Sequence, residues 1–284
     1  MLAVVFDLHV HSAPDVWPRF ADDDGTVAEY VAAGYTGCVL KGHYESTVGR
    51  ASNAARNQAG KGHELAVYGG IALNQHAGGV NPTAVAVTLN TGGRVIWFPT
   101  ADAHTQPAAG LPRFGGLRSG MSEQTYAIPP VDPAAECDVR QVCELITEAD
   151  AVLATGHLST EEVAWLVPVA KGYGVRRILL THPGYSVPGM SISEAAEFAE
   201  AGALIEITAY QLLHQSDCSA EELAAYARGV GLDNVVLSSD AGQPDSPAPP
   251  EALGMLIDAL ADQGLDRSAL LACASDIPRK LVEL

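Results

Sequence analysis

The chain has 284 residues, more than the roughly 150 of an average domain but suited to an α/β barrel, which often runs to ~250 residues as one unit. With 48% hydrophobic and 18% charged residues, a large core is available and wholesale disorder is excluded. A formal charge of −18 repels phosphate backbones and anionic membranes, and no apolar run reaches the ~18 residues of a membrane span, so neither nucleic acid nor membrane is an expected partner.

The first apolar run covers residues 2–8 and leads into Asp7-Leu8-His9-Val10-His11-Ser12. Val27, Tyr30 and Val31 then recur at helical spacing, and Gly34 supplies the C-cap. The second run, 37–40, ends in Lys41-Gly42-His43, and the third, 65–73, in Asn74-Gln75-His76. The fourth, 95–99, ends in Thr100-Ala101-Asp102-Ala103-His104. About fifty residues separate it from the next run, and within them 105–133 is rich in Gly and Pro; so long a loop leaving a strand end reads as a cover over a site. The fifth run, 151–154, ends in Thr155-Gly156-His157. The helical stripe Val163, Leu166, Val167 and Ala170 follows, with Pro168 inside it, which predicts a kink or a broken helix. The sixth run, 177–180, ends in Thr181-His182-Pro183; the seventh, 203–207, carries Glu206-Ile207-Thr208; the eighth, 234–237, ends in Ser238-Ser239-Asp240. Capping-box pairs stand at Ser159/Glu162, Ser191/Glu194 and Ser219/Glu222, and 266–284 reads as a closing helical segment.

The runs are β-branched-rich and mostly non-alternating, as expected of strands buried on both faces. Strands alternating with helices imply a parallel sheet, and eight of them imply a (β/α)8 TIM barrel. The expected organisation is a single domain over 1–284 with a lid-like insertion at about 102–133; an open, doubly wound sheet is the competing arrangement. The five cysteines are odd in number and lack CxxC spacing, and residues 1–7 lack the basic start of a secretory signal. A reducing cytoplasm is therefore expected.

In such a barrel the site is built at the C-terminal strand ends. Seven of the nine histidines fall there: His9, His11, His43, His76, His104, His157 and His182. Residues i and i+2 of a strand share a face, so His9 and His11 can enter the barrel together as a divalent-metal chelate. The spacing alone is a weak signal, and one core histidine beside a solvated one would produce it too. His157, His182 and Asp240 strengthen it, because four imidazoles and a carboxylate buried without a cation would be costly to desolvate.

This pattern resembles the amidohydrolase superfamily of metal-dependent hydrolases: His-x-His on the first strand, His on the fifth, His on the sixth and Asp on the eighth. The stretch Ala274-Ser275-Asp276-Ile277-Pro278-Arg279-Lys280-Leu281 also resembles the closing helix of many members. The resemblance implies metal ligation by His9, His11, His157, His182 and Asp240. It further implies catalytic roles for Asp240, as the base that takes and returns the proton, and for His157 and His182, as second-metal ligands or carbonyl polarisers. Many members bridge two metals with a carboxylated Lys or a Glu of the fourth strand, which this chain lacks. Lys41, on the second strand, is then a displaced bridge, an anion anchor or a structural lysine. The absent bridge favours one tightly held ion over two; zinc is the default, with Mn, Fe or Ni also suited to imidazole-rich sites.

Candidate substrate contacts are Lys41, His43, Asn74, His104, Arg113 and Tyr185, with Arg118 a second cation of the cover and Trp17 and Phe20 walling the pocket. His76 lies further out, and His63 and His214 look structural. The expected activity is hydrolysis of a small organic substrate at an amide, lactam, lactone or ester bond, and a homo-oligomer is compatible with it. The alternatives are a phosphoesterase of the polymerase-and-histidinol-phosphatase type, whose third-strand Glu is missing here, a metal-dependent decarboxylase, and a catalytically retired metal-binding barrel.

Overall fold

Alternation of apolar strands with amphipathic helices resolves into eight parallel strands. In the computed structural model, which describes residues 5–111 and 120–283, these are β1 (Phe6–Val10), β2 (Gly37–Leu40), β3 (Ala66–Ala72), β4 (Val95–Trp97), β5 (Val152–Ala154), β6 (Arg177–Leu180), β7 (Leu204–Thr208) and β8 (Val235–Ser238). Each pairs with the next in sequence. The ring is completed between β8 and β1 by a parallel bridge from Val10 to Ala241, with His11 N donating to Ala241 O at 2.9 Å and Asp240 N to His9 O at 2.8 Å. The fold is a (β/α)8 barrel.

The helices are α1 (Asp23–Ala32), α2 (Val48–Gly60), α3 (Pro82–Asn90), α4 (Thr105–Ala108), α5 (Glu136–Glu148), α6 (Thr160–Gly172), α7 (Ile192–Glu200), α8 (Ala209–His214), α9 (Ala220–Val230), α10 (Pro249–Asp262), α11 (Arg267–Cys273) and α12 (Asp276–Val282). None is long and apolar enough to cross a membrane. All three capping boxes read from the sequence form, at α6, α7 and α9, and a fourth, Thr208/Gln211, starts α8. The break expected at Pro168 does not occur: α6 runs through it. Pro168 lies on the exposed face, so the carbonyl it leaves without an intrahelical donor can be hydrated.

The barrel interior is packed with Phe6, Leu8, Val39, Val95, Trp97, Val152, Ala154, Leu179 and Val236. Helix α12 seals the bottom with Leu281 and Val282, and its last carbonyls accept from Arg94 and Arg177. The top is set by an irregularity in β1. Against β2, Asp7 pairs with Cys38 but Val10 with Leu40, so three steps on one strand match two on the other. Leu8 belongs to the interior cluster and Val10 to the outer cluster under α1 and α2. The extra residue lets both Leu8 and His9 face inward, and His11 follows His9. The first strand was expected over 2–8; within the described residues it spans Phe6–Val10, so His9 lies inside the strand.

Candidate metal centre and cavity

Three side chains converge at the top of the barrel. Asp240 Oδ1 lies 3.0 Å from His9 Nε2 and 3.2 Å from His11 Nε2, and one ligand atom from each of the three falls within 4.8 Å of the others. His182 Nε2 stands 3.9 Å from the other carboxylate oxygen. The imidazole of His157 packs against that of His182 with ring centroids 5.0 Å apart, and His43 stacks on His11 at 4.9 Å. Lys41 Nζ reaches His9 Nε2 at 2.9 Å and lies 5.7 Å above the Trp97 ring, which floors the site.

Backbone geometry aims these groups. His182 and Asp240 adopt positive φ, 26° and 48°, a conformation that costs a non-glycine residue about 1–3 kcal/mol and that clusters at functional sites. Gly242 allows the close approach of the eighth strand's loop to the first: at its φ of 120°, a Cβ would lie 2.0 Å from His11 O. Buried Asp7 ties the same seam, accepting from His9 N, Ser239 N and the Tyr30 hydroxyl at 3.1, 3.0 and 2.5 Å.

Behind His9 sits Glu206, fully buried on β7. Its Oε1 accepts from Ser238 Oγ at 2.5 Å and faces His9 Nδ1 at 3.1 Å, while Oε2 accepts from His182 N at 3.2 Å. A carboxylate only accepts, so His9 carries a hydrogen on Nδ1, and its Nε2, facing Asp240 and His11, is where either a second proton or a metal sits. A carboxylate behind a ligating imidazole is the usual support of a metal-binding histidine. The sequence placed Glu206 at a strand end, but nothing in it revealed this contact.

The electrostatics call for a positive charge at this point. Burial opposes an imidazolium at His9, but Asp240 and Glu206 outweigh it and lift its pKa to about 9. Burial also opposes the charge on Asp240, yet His9 and His11 hold the carboxyl well below its usual range. Burial lowers the pKa of His182 to about 4, and it keeps His11, His43 and His157 well below the usual imidazole range. Lys41 is lowered by burial, against the pull of Asp240 and Glu206. The Nδ1 atoms of His11, His157 and His182 are buried without hydrogen-bond partners among the described residues. Neutral His11, His9 once its second proton is displaced, an ionised carboxylate and a supporting glutamate form a donor set that fits a divalent cation.

Around this cluster lies a cavity of about 190 Å³, lined among others by Trp17, Arg19, Lys41, His43, Gln106, Tyr185 and Tyr210. His43 Nδ1 lies 2.9 Å from Thr100 Oγ1, which accepts from Asn74 Nδ2 at 2.7 Å. Thr100 Oγ1 thus links Asn74 to His43 and fixes the His43 ring by its Nδ1. Asn74 lies beneath the cavity rather than in its wall, bracing His43 O and the backbone N–H groups of Thr100 and Asp102. His104 turns away to Glu162 Oε2 at 2.8 Å, which also accepts from Ser159 N in the α6 cap. Arg113 and Arg118 lie outside the described residues. Arg19, Gln106, Tyr210 and Glu206 had no site role in the sequence reading; the first three line the cavity from loops or short helices, where no periodicity marks them.

Solved structures share this architecture. An amidohydrolase from Pseudomonas aeruginosa superposes with a TM-score of 0.61 at 11% identity, covering 99% of this chain and 97% of that one. A lactonase from Listeria monocytogenes gives 0.60 at 12%, over 99% and 95%, and an organophosphorus hydrolase from Deinococcus radiodurans 0.61 at 14%, over 99% and 93%. At such identities the likeness is one of fold, the (β/α)8 barrel. No curated protein matches by sequence. One family does, over residues 4–206, a stretch that includes His9, His11, Lys41, His157, His182 and Glu206. The chain belongs to that family, described as a family of unknown function (DUF6282).

Proposed function

We propose that the protein is a metal-dependent hydrolase of a small organic substrate, acting at an amide, lactam, lactone or ester bond. The observation that carries this reading is the His9–His11–Asp240 cluster with Glu206 behind it, at the end of the barrel where such enzymes keep their chemistry. His9, His11 and Asp240 would hold one divalent ion, zinc by default, with His182 and His157 beside it. When bound, the ion supplies Lewis acidity and a nucleophile derived from water near neutral pH.

The chain's own residues supply the rest. Asp240, ionised and at the centre of the cluster, accepts the proton released at the attacking oxygen and returns it to the leaving group. His157 and His182, neutral at working pH, are placed to hydrogen-bond the carbonyl oxygen as charge develops there. His43, its ring fixed through Thr100, and Tyr185 orient the substrate, while Lys41 holds the electrostatic balance next to His9. The described parts of segment 102–133 act as the cover, its middle, 112–119, lying outside the described residues: Gln106 and Leu111 belong to the cavity wall, Tyr126 N closes the segment onto Asp102 O at 2.8 Å, and Ser122 N ties it to Gln75 Oε1 at 2.9 Å. A small substrate is supported by the cavity volume, well under the ~300–1,000 Å³ of drug-sized pockets. A reducing cytoplasm is supported by five unpaired cysteines.

The test is elemental analysis of purified protein with an ester, lactone and amide panel. Near-stoichiometric divalent metal, lost in His11→Ala while the far-UV spectrum is retained, and hydrolysis dependent on that metal are expected. A wild-type protein that no divalent ion reconstitutes would sink the reading.

A further inference from the structure

Arg19 is the feature the hydrolase reading leaves unused. It lies in the loop between β1 and α1, in the cavity wall, with its side chain only 3% exposed. Nε donates to Asp15 Oδ2 at 2.8 Å. Nη2 lies 2.7 Å from the same oxygen as an ion pair but off the hydrogen-bond direction, and it is buried without a hydrogen-bond partner among the described residues. The Asp15 side chain is itself 4% exposed and accepts from Trp17 N at 3.3 Å. One edge of the guanidinium is thus fixed by a single carboxylate oxygen. The end-on edge, Nη1 with Nη2, makes no hydrogen bond among the described residues.

The loop that carries it is held on both sides. Phe20 N donates to Gly242 O at 2.8 Å, two residues beyond Asp240, and Ala13 N to Ala21 O at 2.8 Å. Arg50 braces the loop's base through Ser12 O and Asp23. A rigid, buried guanidinium with an unused pair of donors is a bidentate receptor for a planar anion. Trp17, Tyr185 and Tyr210 line the same wall with flat faces, and the cavity's other cationic side chain among the described residues, Lys41, lies within electrostatic reach but is held next to His9. With Asp15 already neutralising one charge, the receptor suits a monoanionic carboxylate better than a dianionic phosphate. The chain's formal charge of −18 does not cancel it, because the exposed acids that supply most of that charge are screened beyond ~8 Å at physiological ionic strength.

We propose that Arg19, oriented by Asp15, binds a carboxylate of the substrate, so that this hydrolase acts on small carboxylic acids whose scissile bond lies over His11 and Asp240. The orientation of the scissile bond rests on the hydrolase reading; the carboxylate receptor does not.

Benzoate and its neutral isostere benzamide are the probes, titrated by tryptophan fluorescence and calorimetry into metal-loaded and chelator-treated protein, with inorganic phosphate as competitor. Wild type is expected to bind benzoate saturably and at least 10-fold tighter than benzamide in both forms. Arg19→Gln should lose 10- to 100-fold of the benzoate affinity, the scale of a charge-assisted hydrogen-bond pair, while its metal content is at least that of wild type. If the variant does not fold, the benzoate-to-benzamide ratio of wild type decides alone. Absent benzoate binding, equal binding of the two probes, an unaffected Arg19→Gln, or phosphate binding more tightly than benzoate would each overturn the assignment. Arg19-dependent binding in a protein that takes up no metal would sink the hydrolase reading and leave the receptor standing.

Discussion

Replacing Glu206 by Gln tests the metal centre without touching a proposed ligand. The carboxylate accepts from Ser238 Oγ, His182 N and His9 Nδ1 at 2.5, 3.2 and 3.1 Å, and it is 1% exposed. A glutamine keeps the volume but offers one acceptor oxygen and a donor amide. If the oxygen faces Ser238 and His9, the amide N–H points at the N–H of His182. If it flips, the clash moves to His9 Nδ1, which then favours the opposite tautomer and puts a hydrogen on Nε2, where a metal needs a lone pair. Either way one charge-assisted contact is lost, about 1.5–3 kcal/mol. Much of that loss should appear in metal binding, since carboxylates behind ligating imidazoles typically contribute 10- to 100-fold in affinity, about 1.4–2.8 kcal/mol. The assay is zinc competition against a chromogenic chelator at pH 7.5, with Glu206→Asp as a charge-retaining partner. A Glu206→Gln protein that folds and binds zinc as tightly as wild type would show that Glu206 does not set the His9 lone pair, and the centre would have to be built elsewhere.

Two further substitutions probe the same seam. Asp240→Asn removes the base but keeps a weak ligand oxygen: the single-turnover rate should fall at least ~10²-fold while metal occupancy falls less than in His11→Ala, and unchanged turnover at full occupancy would move the base role to His157 or His182. Gly242→Ala forces a Cβ against His11 O at a φ of 120°, so urea unfolding of the metal-free protein should show a loss of about 2 kcal/mol or more; a midpoint within error of wild type would mean the loop relaxes freely.

What the sequence disclosed is what carries a local period or a strand-end position. Buried parallel strands write themselves as apolar runs, so β2 and β6 were bounded to the residue; the 2–8 run differs because polar His9 lies within the strand, and an apolar criterion stops short of it. His9, His11, His157, His182 and Asp240 could be singled out because each terminates such a run. The residues that surround them could not. Glu206 acts through His9, 197 positions away, and Arg19 through a loop whose course depends on Asp15 and on a hydrogen bond to Gly242. The extra residue in β1 also had no signature: strict alternation puts Leu8 and His9 on opposite faces, and only the pairing with β2 shows that both turn inward. Asn74 and His104 lie at strand ends as the rule requires, but their side chains go to Thr100 and Glu162, because strand-end position fixes the neighbourhood of a side chain and not its direction.

The charge state of the imidazole cluster makes a last prediction, about metal-free protein and pH. His182 is lowered to about 4, and His11, His43 and His157 well below their ordinary range, burial being the main cause in each. In the unfolded chain they titrate near 6.5. Below that pH the unfolded state takes up protons that the folded state refuses, so stability falls as pH drops from about 6.5 towards 4. Each such group contributes at most ~1.4 kcal/mol per pH unit, which makes His182 alone worth about 3 kcal/mol by pH 4, a large part of an ordinary 5–15 kcal/mol stability. His9 acts in the opposite sense. Burial opposes its charge, but Asp240 and Glu206 raise its pKa to about 9, so its contribution is complete below 6.5 and is lost as pH rises through 9. The imidazoles therefore make metal-free protein most stable near pH 6.5, with losses on both sides; Lys41, lowered by burial, offsets the alkaline loss only above its folded-state pKa. A divalent ion replaces the proton of His9 and stabilises the folded state by mass action, so saturating zinc should abolish the decline between pH 6.5 and 8.5. Urea midpoints measured across pH 4.5–8.5, with chelator and with zinc, decide it. A chelated protein with a flat profile, or an alkaline decline that zinc leaves untouched, would mean that His9 does not hold the charge that the metal is to replace.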